Sequence, residues 1–562
     1  MATATTRTAV LDEAHVGDIR GALGTIRVGD TAARTTLPAK LKTLLAVVGP
    51  GLIVMVGDND AGAFATYGQA GQNYGTRLLW TLLLLIPVLY VNQEMVLRLG
   101  AVTGVGHARL ILARFGRFWG MFEIIDLFLL NTLTIITEFI GITLAAGFLG
   151  VPKVLAVGFA AAVIVATAFT GSFRTFERIA IALCAGSLLL IPLYFMAHPS
   201  GGQMARGFVT PDLPGSAPGG MAAVMLLVIG IVGTTVAPWQ LFFQQSYVID
   251  KRITPRFIKY EKADLWIGIA VVVLGAAALM GTAAAAVAHT GAAGNFTDSA
   301  GLAHAVAAYA GKLAGALFAI ALLDASIIGA FAVSLSSAYA IGDVLGMKHS
   351  LHRGVGQAKG FYALYTALIA VCAAIVLLPG SPLGLITEGV QVLAGVLLPS
   401  ATVFLLLLCN DRAVLGPWVN GRRTNAFAAA VVTALITLSI VLTASVVFPS
   451  ITAGAIIAIV AGCVTLAAAA GLALLGARWS GHRRRLAGHD ETAATPQALA
   501  EVIEQDAAEV ADKMTWRMPP LGELSAPAIT GARRIGLIAL RGYLALALIM
   551  VVVKVVETAL GH

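Results

Sequence analysis

One stretch decides the fold class of this 562-residue chain: Gly57-Asp58-Asn59-Asp60-Ala61-Gly62-Ala63-Phe64. It follows an apolar run and places two carboxylates and an amide in three consecutive residues between glycines. Glycine lets a helix unwind and expose its carbonyl oxygens. Irregular backbone is tolerated at membrane depth only where it lines a cavity. The stretch therefore predicts a broken membrane helix beside a polar site, with a helix cap near the membrane surface as the simpler alternative.

The composition predicts an all-α integral membrane protein. Hydrophobic residues make up 58% and charged residues 12% of the chain, whereas soluble proteins have about 45–50% and about 25%. The four cysteines lie in apolar stretches without paired spacing, which excludes a disulfide scaffold. Apolar stretches of about 20 residues are long enough to cross a bilayer. They predict thirteen spans, near residues 44–66, 78–97, 121–148, 154–170, 179–198, 221–248, 265–289, 313–345, 361–379, 386–409, 427–447, 452–476 and 535–558.

The distribution of basic residues predicts a cytoplasmic N-terminus. With that orientation, 31 of the 37 Lys and Arg residues lie in inside segments and four in outside segments. Such a bias is typical of multi-pass membrane proteins and explains the net charge of +8 without a nucleic-acid partner. The polar first 40 residues show no signal peptide. We expect a plasma-membrane protein whose partners are the bilayer and its substrate, with no protein partner evident.

A second break is predicted in the sixth span. Gly230 and the stretch Gly233-Thr234-Thr235-Val236-Ala237-Pro238-Trp239-Gln240 interrupt its apolar sequence. Pro238 has no backbone donor and frees the carbonyl of Thr234. Two interruptions five spans apart indicate inverted repeats with a site between the broken helices at the membrane midplane. Carbonyl oxygens and Asp60 would make that site negative, which suits a cation and disfavours a carboxylate substrate.

Five segments follow from the predicted spans. They are a disordered cytoplasmic tail (1–43), a ten-helix transport core (44–409), two additional membrane helices (410–476), a cytoplasmic polar segment with a short helix (477–534), and a C-terminal membrane helix (535–562). An amphipathic interfacial helix is the alternative for the last one. No nucleotide-binding motif is present, so ATP is not indicated as the energy source.

Several motifs resemble those of the Nramp divalent-metal transporters. The specific one runs from Gly49-Pro50-Gly51-Leu52 through Asp60 to Leu78-Leu79-Trp80; supporting pieces are Thr137-Glu138-Phe139-Ile140-Gly141, Ala237-Pro238, and Gln391 followed by Leu398-Pro399. The resemblance covers roughly residues 44–476. It implies a LeuT-like five-plus-five inverted repeat with broken helices 1 and 6, plus extra C-terminal membrane helices.

The chain departs from the metal-binding motifs of that family. The family's Asp-Pro-Gly-Asn reads Asp60-Ala61-Gly62-Ala63 here, and its Met-Pro-His reads Ala237-Pro238-Trp239. Gln244 and Ile135 stand where the family has a second histidine and an aspartate linked to protons. The changes remove a soft sulfur ligand and an amide ligand and widen the pocket, which suits a hydrated, oxygen-preferring ion. The pattern resembles the Nramp-related magnesium transporters, a branch reported to carry Mg²⁺ without proton coupling.

These considerations assign candidate roles to eleven residues. Asp60 is the central acceptor, the carbonyls of Gly57 and Thr234 supply backbone oxygens, and Gln391 bonds a coordinated water. Ala63 and Ala237 make room for the ion. Candidate pathway or gate residues are Asp58, Asn59, Glu138, Trp239 and Gln240. For Glu138, a buried acid that bonds neighbouring helices is an equal alternative, and for Trp239 so is packing against the helix break.

The predicted function is Mg²⁺ uptake by alternating access, without a proton, a cofactor or enzymatic chemistry. The alternative is a proton-coupled Mn²⁺ or Fe²⁺ importer, which the absence of Met and His in the sixth span disfavours. A more distant alternative is a membrane cation sensor that binds without transport. Selectivity among Mg²⁺, Mn²⁺ and Ca²⁺ depends on the dimensions of the site and stays open at this point.

Overall fold

A computed structural model describes residues 13–215, 220–288, 290–378, 383–448, 451–452, 454–469 and 513–525, together with 537, 540 and 542. Helices dominate, with a single two-stranded hairpin near the N-terminus among the described residues. The predicted C-terminal membrane helix and most of the 477–534 segment lie outside the described residues.

The elements follow one another along the chain in a simple order. The strands are β1 (Ile19–Gly21) and β2 (Gly24–Ile26), and the helices are α1 (Leu37–Val47), α2 (Pro50–Val56), α3 (Ala61–Tyr74), α4 (Trp80–Thr103), α5 (His107–Phe115), α6 (Arg117–Phe148), α7 (Lys153–Ala168), α8 (Phe173–Gly186), α9 (Leu190–Ala197), α10 (Gly201–Val209), α11 (Gly220–Thr235), α12 (Pro238–Asp250), α13 (Ile258–Val287), α14 (Ser299–Ala310), α15 (Lys312–Leu345), α16 (Lys359–Val376), α17 (Leu383–Cys409), α18 (Arg412–Leu415), α19 (Arg422–Val447) and α20 (Gly454–Ala469).

The first twelve predicted spans each coincide with apolar helix. Nine helical segments of the described chain are long and apolar enough to cross a membrane, or ten if the bent pair α1–α2 counts as one. The helices α7 and α20 are apolar but shorter. The chain is therefore a multi-pass membrane protein, as its composition predicts.

Both predicted helix breaks are present. Residues 57–60 separate α2 from α3 in the first span, and residues 236–237 separate α11 from α12 in the sixth. A further bend of 54° between α1 and α2 lies at Val48 and Gly49. Gly49 has a φ of 151°, in a region of backbone space that strongly favours glycine.

Corresponding helices of the two halves pack against each other. The third span (α6) lies along the eighth (α15), the second (α4) along the seventh (α13), and the helix before the first break (α2) along the helix after the second (α12). This pairing brings the two breaks together in the middle of the bundle. The all-α architecture is the LeuT-like inverted repeat expected from the sequence.

The prediction of a disordered N-terminal tail is wrong for residues 13–26. A 3₁₀ turn, Glu13–His15, precedes the β1–β2 hairpin, in which Ile19 pairs with Ile26. Both isoleucines are buried, and the Ala22 backbone N–H donates to Glu177 Oε2 at 2.6 Å. Propensity alone does not favour so short a hairpin. Packing against α1 and α8 orders it instead.

The face of the bundle that carries this hairpin, called here the inner face, is closed by buried ionic contacts. Lys251 Nζ donates to Glu177 Oε1 at 2.7 Å and to the Val48 carbonyl at 2.8 Å. The Asp264 carboxylate accepts the Gly49 and Gly51 N–H groups at 3.1 and 2.7 Å. The α1–α2 bend is thus held between the fifth, sixth and seventh spans.

The inner loop after α15 provides a pH-dependent contact. His349 Nε2 lies 3.1 Å from Asp343 Oδ1. Burial opposes the charged imidazole, but the Asp343 carboxylate and the Met347 carbonyl outweigh it and raise the pKa of His349 to about 9. Because this folded-state pKa exceeds the unfolded one, the contact stabilises fully below the unfolded pKa of about 6.5 and is lost as pH rises through about 9.

We expect His349→Gln to lower the thermal midpoint of the purified protein by about 2–4 °C near pH 6. Near pH 10 the wild-type imidazole is neutral, so the two proteins should melt at nearly the same temperature. Thermal unfolding in detergent across this pH range provides the measurement. An equal drop in the thermal midpoint at both pH values would show that His349 acts through packing and would contradict the ionic contact.

Candidate metal site

Asp60 is both the N-cap of α3 and the most central carboxylate of the broken first span. Its Oδ1 accepts the Ala63 N–H at 2.9 Å, and its backbone is extended, with φ −82° and ψ −168°. Such a cap satisfies one of the free donors at a helix start. The alternative of a cap near the surface is therefore half right, because Asp60 is a cap but is only 3% exposed.

Glu138 of α6 completes the start of α3 from the other side. Its Oε2 accepts the Ala61 N–H at 3.1 Å. Gly329 of α15 lies against both acids: a Cβ on Gly329 would lie 2.7 Å from the Glu138 carboxyl and 2.9 Å from Asp60 Cβ. The absence of a side chain at residue 329 therefore allows Asp60 and Glu138 to approach each other closely.

The site carries more negative charge than its surroundings neutralise. Asp58, Asp60 and Glu138 are all buried, and none takes part in the ion pairs formed by the described residues. Buried carboxylates need a cation, a proton or several hydrogen-bond donors to be stable. The arrangement is therefore suited to hold a cation, a proton or both.

The break of the sixth span meets the tenth span at Gln391. Thr234 Oγ1 donates to Gln391 Oε1 at 2.7 Å. The amide of Gln391 also lies against Gly62, where an added Cβ would be 2.0 Å from Nε2. Gln391, Thr234 and the start of α3 thus come together, and Gln391 Nε2 has no hydrogen-bond partner among the described residues. An amide donor beside Asp60 can bond an ion-bound water.

The predicted room-making residues line the same region, and Trp239 lies on its inner side. Ala63 and Ala237 are buried. The ring of Trp239 is 3.4 Å from the place of a Gly57 Cβ, and its carbonyl accepts from Ser336 at 2.9 Å. This position on the inner side of the break is equally consistent with Trp239 as a gate and with Trp239 packing against the helix break.

Asn59 points away from the site. Its Nδ2 donates to the Val272 carbonyl of α13 at 3.3 Å, and Gly275 leaves the space for it. In this structure Asn59 anchors the broken span to the seventh, and its role in lining the ion path or capping the half-helix stays a prediction. Asp58 lies beside the Gln240 amide on the inner side of the break, and neither Asp58 oxygen has a well-formed hydrogen bond to the described residues.

A cavity of about 200 Å³ approaches the site from the side opposite the inner face. It lies between α3, α11 and α17 and is lined by polar residues that include Thr66, Gln69, Asn73 and Glu388. Glu388 lies almost one helical turn from Gln391 on α17. The cavity is thus bounded by one half of each broken helix, α3 and α11.

The donors at the site are carboxylate, hydroxyl and amide groups, together with the carbonyls of the two breaks. No three His, Cys, Asp or Glu side chains among the described residues are arranged to hold a metal ion. An ion at Asp60 would therefore complete its coordination shell with backbone oxygens and water. Hard, oxygen-preferring cations accept such surroundings.

A model of a known protein family matches most of this sequence. The model described as natural resistance-associated macrophage protein-like, Nramp, matches residues 51–445. The chain belongs to the Nramp family.

Similar proteins of known name support the assignment. The divalent metal cation transporter MntH of Ralstonia nicotianae is 30% identical over 407 residues, which cover 69% of this chain and 88% of that protein. The MntH of Burkholderia ambifaria is 30% identical over 332 residues, covering 54% and 70%. The crystal structure of the Eremococcus coleocola manganese transporter superposes with a TM-score of 0.61 at 21% identity, covering 82% of this chain and 96% of that one. The last likeness shows the fold alone.

The chain is thus a divalent metal cation transporter with the Nramp fold and not an enzyme. Within that frame the structure also identifies residues that the sequence alone did not single out. Gly329 lies against both acids, the Tyr67 hydroxyl and Thr235 Oγ1 share a hydrogen bond of 2.7 Å across the two broken spans, and Gln93 Nε2 donates to Gln240 at 3.0 Å. Only Gln93 had a visible signal, as one of three consecutive polar residues within an apolar span.

Gly329→Ala should disrupt the site without unfolding the bundle. The added methyl would overlap Glu138 and Asp60, and overpacking of about 1–3 kcal/mol corresponds to about a five- to hundredfold loss of affinity. Isothermal titration calorimetry of the purified protein with Mg²⁺ and Mn²⁺ measures the affinity. Gly158→Ala, in an open position on α7, is the matched control. Wild-type affinity in Gly329→Ala would show that the two acids do not act together.

Proposed function

We propose that the protein carries hydrated Mg²⁺ through the plasma membrane, with its N-terminus in the cytoplasm. The single observation that supports this cargo is the donor set around Asp60. It offers carboxylate, amide and hydroxyl groups, while alanines occupy positions 63 and 237, where the family motifs have an amide and a thioether. Mg²⁺ prefers oxygen and gives up its water reluctantly. A roomy site with few protein ligands suits an ion that keeps several waters.

Such transport needs no coupled proton. A divalent ion gains about 4.6 kcal/mol per 100 mV of inside-negative potential, twice the value for one charge. This gain supports accumulation of the ion by a uniporter.

Proton-coupled Mn²⁺ uptake is the second candidate. Two observations favour it: the relatives are named MntH divalent metal cation transporters, and the fold neighbour is a manganese transporter. The close approach of Asp60 and Glu138 also provides a place where a proton can replace a cation. The names of the relatives thus favour Mn²⁺, whereas the ligand types at the site favour Mg²⁺.

Ion flux into proteoliposomes decides between the candidates. Vesicles with an Mg²⁺-sensitive dye and parallel vesicles with a pH dye receive Mg²⁺ or Mn²⁺ outside under an inside-negative potential. Mg²⁺ uptake without acidification supports the proposal. Mn²⁺ uptake with acidification and without Mg²⁺ uptake overturns it in favour of the second candidate. Binding of either ion without flux would indicate a sensor.

Asp60→Asn separates ion binding from helix capping. Asparagine caps a helix about as well as aspartate, so α3 should keep its start and the protein its melting temperature. Uptake should fall to the level of empty vesicles because the central charge is gone. Asp60→Ala, the companion variant, also loses the cap and about 1 kcal/mol of stability. Uptake by Asp60→Asn at the wild-type rate would contradict the assignment of Asp60.

Ala237→Met tests the softness argument. A thioether at the break favours softer transition metals, so affinity for Mn²⁺ and Cd²⁺ should rise relative to Mg²⁺. Titration calorimetry with each ion gives the ratio. Ala237→Leu adds a side chain of similar volume without sulfur and controls for size. If the methionine and leucine variants change the ratio equally, ligand softness at this position does not set selectivity.

A further inference from the structure

A row of buried amide side chains continues from the break towards the inner face. Gln240 and Gln244 lie one turn apart on α12, on the same face of the helix, and Gln93 faces them from α4. All three are fully buried, with 0% exposure. The row begins at Asp58, whose carboxylate lies beside Gln240.

The hydrogen bonds of this row are incomplete. Gln93 Nε2 donates to Gln240 Oε1 at 3.0 Å, which is the one side-chain bond that links the three amides. Gln93 Oε1 and both polar atoms of Gln244 have no partner among the described residues, and Gln240 Nε2 and the two Asp58 oxygens lie beside each other without a well-formed hydrogen bond. In the described part of the bundle, the row thus holds six polar atoms that lack a well-formed hydrogen bond.

Such atoms are costly in a static structure. A buried polar group without a partner destabilises the folded state, and lipid offers no compensation. The neighbouring Gln245 shows the ordinary arrangement. Its Oε1 contacts His107 Nδ1 at 3.1 Å, and its Nε2 donates to the Val105 carbonyl at 2.6 Å. The contrast between adjacent glutamines on one helix sets Gln240 and Gln244 apart from structural core amides.

We propose that Gln93, Gln240 and Gln244 form the inner exit path, along which a hydrated divalent cation passes from Asp60 to the inner face. The inference rests on the proposed function of cation transport. Amide oxygens accept hydrogen bonds from the waters that the ion keeps, and amide nitrogens donate to them. Neutral groups guide the ion without trapping it, which conduction requires.

The path is closed in this conformation. The amides are buried, and beyond them Asp250 at the end of α12 accepts from Tyr339 and Ser350, both at 2.5 Å. Opening of the inner face would admit water to the row and satisfy its free atoms. The unpartnered amides therefore favour opening of the inner face more than apolar side chains at the same helix contact would.

The test compares Gln93→Leu and Gln240→Leu with Gln245→Leu in proteoliposomes. The first two should lower the maximal Mg²⁺ uptake rate about tenfold or more, with KM and the calorimetric Mg²⁺ affinity nearly unchanged, as expected for loss of an interaction outside the binding step. Gln245→Leu loses two hydrogen bonds, so it should melt at a lower temperature while its uptake per folded molecule stays at the wild-type level.

A conservative variant separates a path role from a packing role. Gln240→Glu carries a neutral donor and acceptor when protonated, like the amide, so its uptake should approach the wild-type rate at low pH. Uptake should fall as the carboxyl ionises at high pH and holds the ion, a pH dependence that packing alone would not introduce. Wild-type uptake rates in both leucine variants would overturn the exit path. Absence of Mg²⁺ uptake by the wild type would instead overturn the proposed cargo, in which case the same variants are compared with Mn²⁺ as the probe.

Discussion

A helix that breaks inside a bilayer must find new partners for its backbone groups, because lipid offers none. Here two acids meet that requirement at the start of α3: Asp60 caps the Ala63 N–H from within the chain, and Glu138 accepts the Ala61 N–H from the third span. The position of Glu138 in turn requires the bare backbone of Gly329. The geometry of the metal site is thus a consequence of how the broken helix satisfies its own donors.

This dependence gives the carboxylates two functions at once. Under the proposed function, the oxygens that hold α3 in place are also those that would meet the ion, so a cation at Asp60 would compete with or reinforce the capping bonds. Occupancy of the site and the orientation of the outer half-helix are therefore linked through a single side chain. Alternating access requires such a link, because the state of the site must be communicated to the helices that move.

The sequence alone predicts those features of the fold that depend on local chemistry. The spans follow from hydropathy and the breaks from glycine, proline and the carboxylates. The meeting of Asp60 and Thr234 follows from the inverted repeat that the breaks imply, and the place of Gln391 follows only from the resemblance to the Nramp family. The sequence does not predict the direction in which a side chain points. Asn59 has the composition of a ligand, yet it turns to a carbonyl of the seventh span, which only the packed bundle defines. The role of Gly329 likewise depends on two acids from other helices, because its missing side chain leaves room for them.

The N-terminal hairpin has a consequence for the order of folding. Ala22 bonds Glu177, 155 residues later, and Ala14 bonds Arg252, 238 residues later. This segment precedes the first span and must therefore wait, undocked, until the sixth span has been synthesised and inserted. Contacts this distant in sequence form slowly because a long loop must close first. A segment made before the first span is thus among the last to reach its place, and its docking reports that the first six spans have assembled.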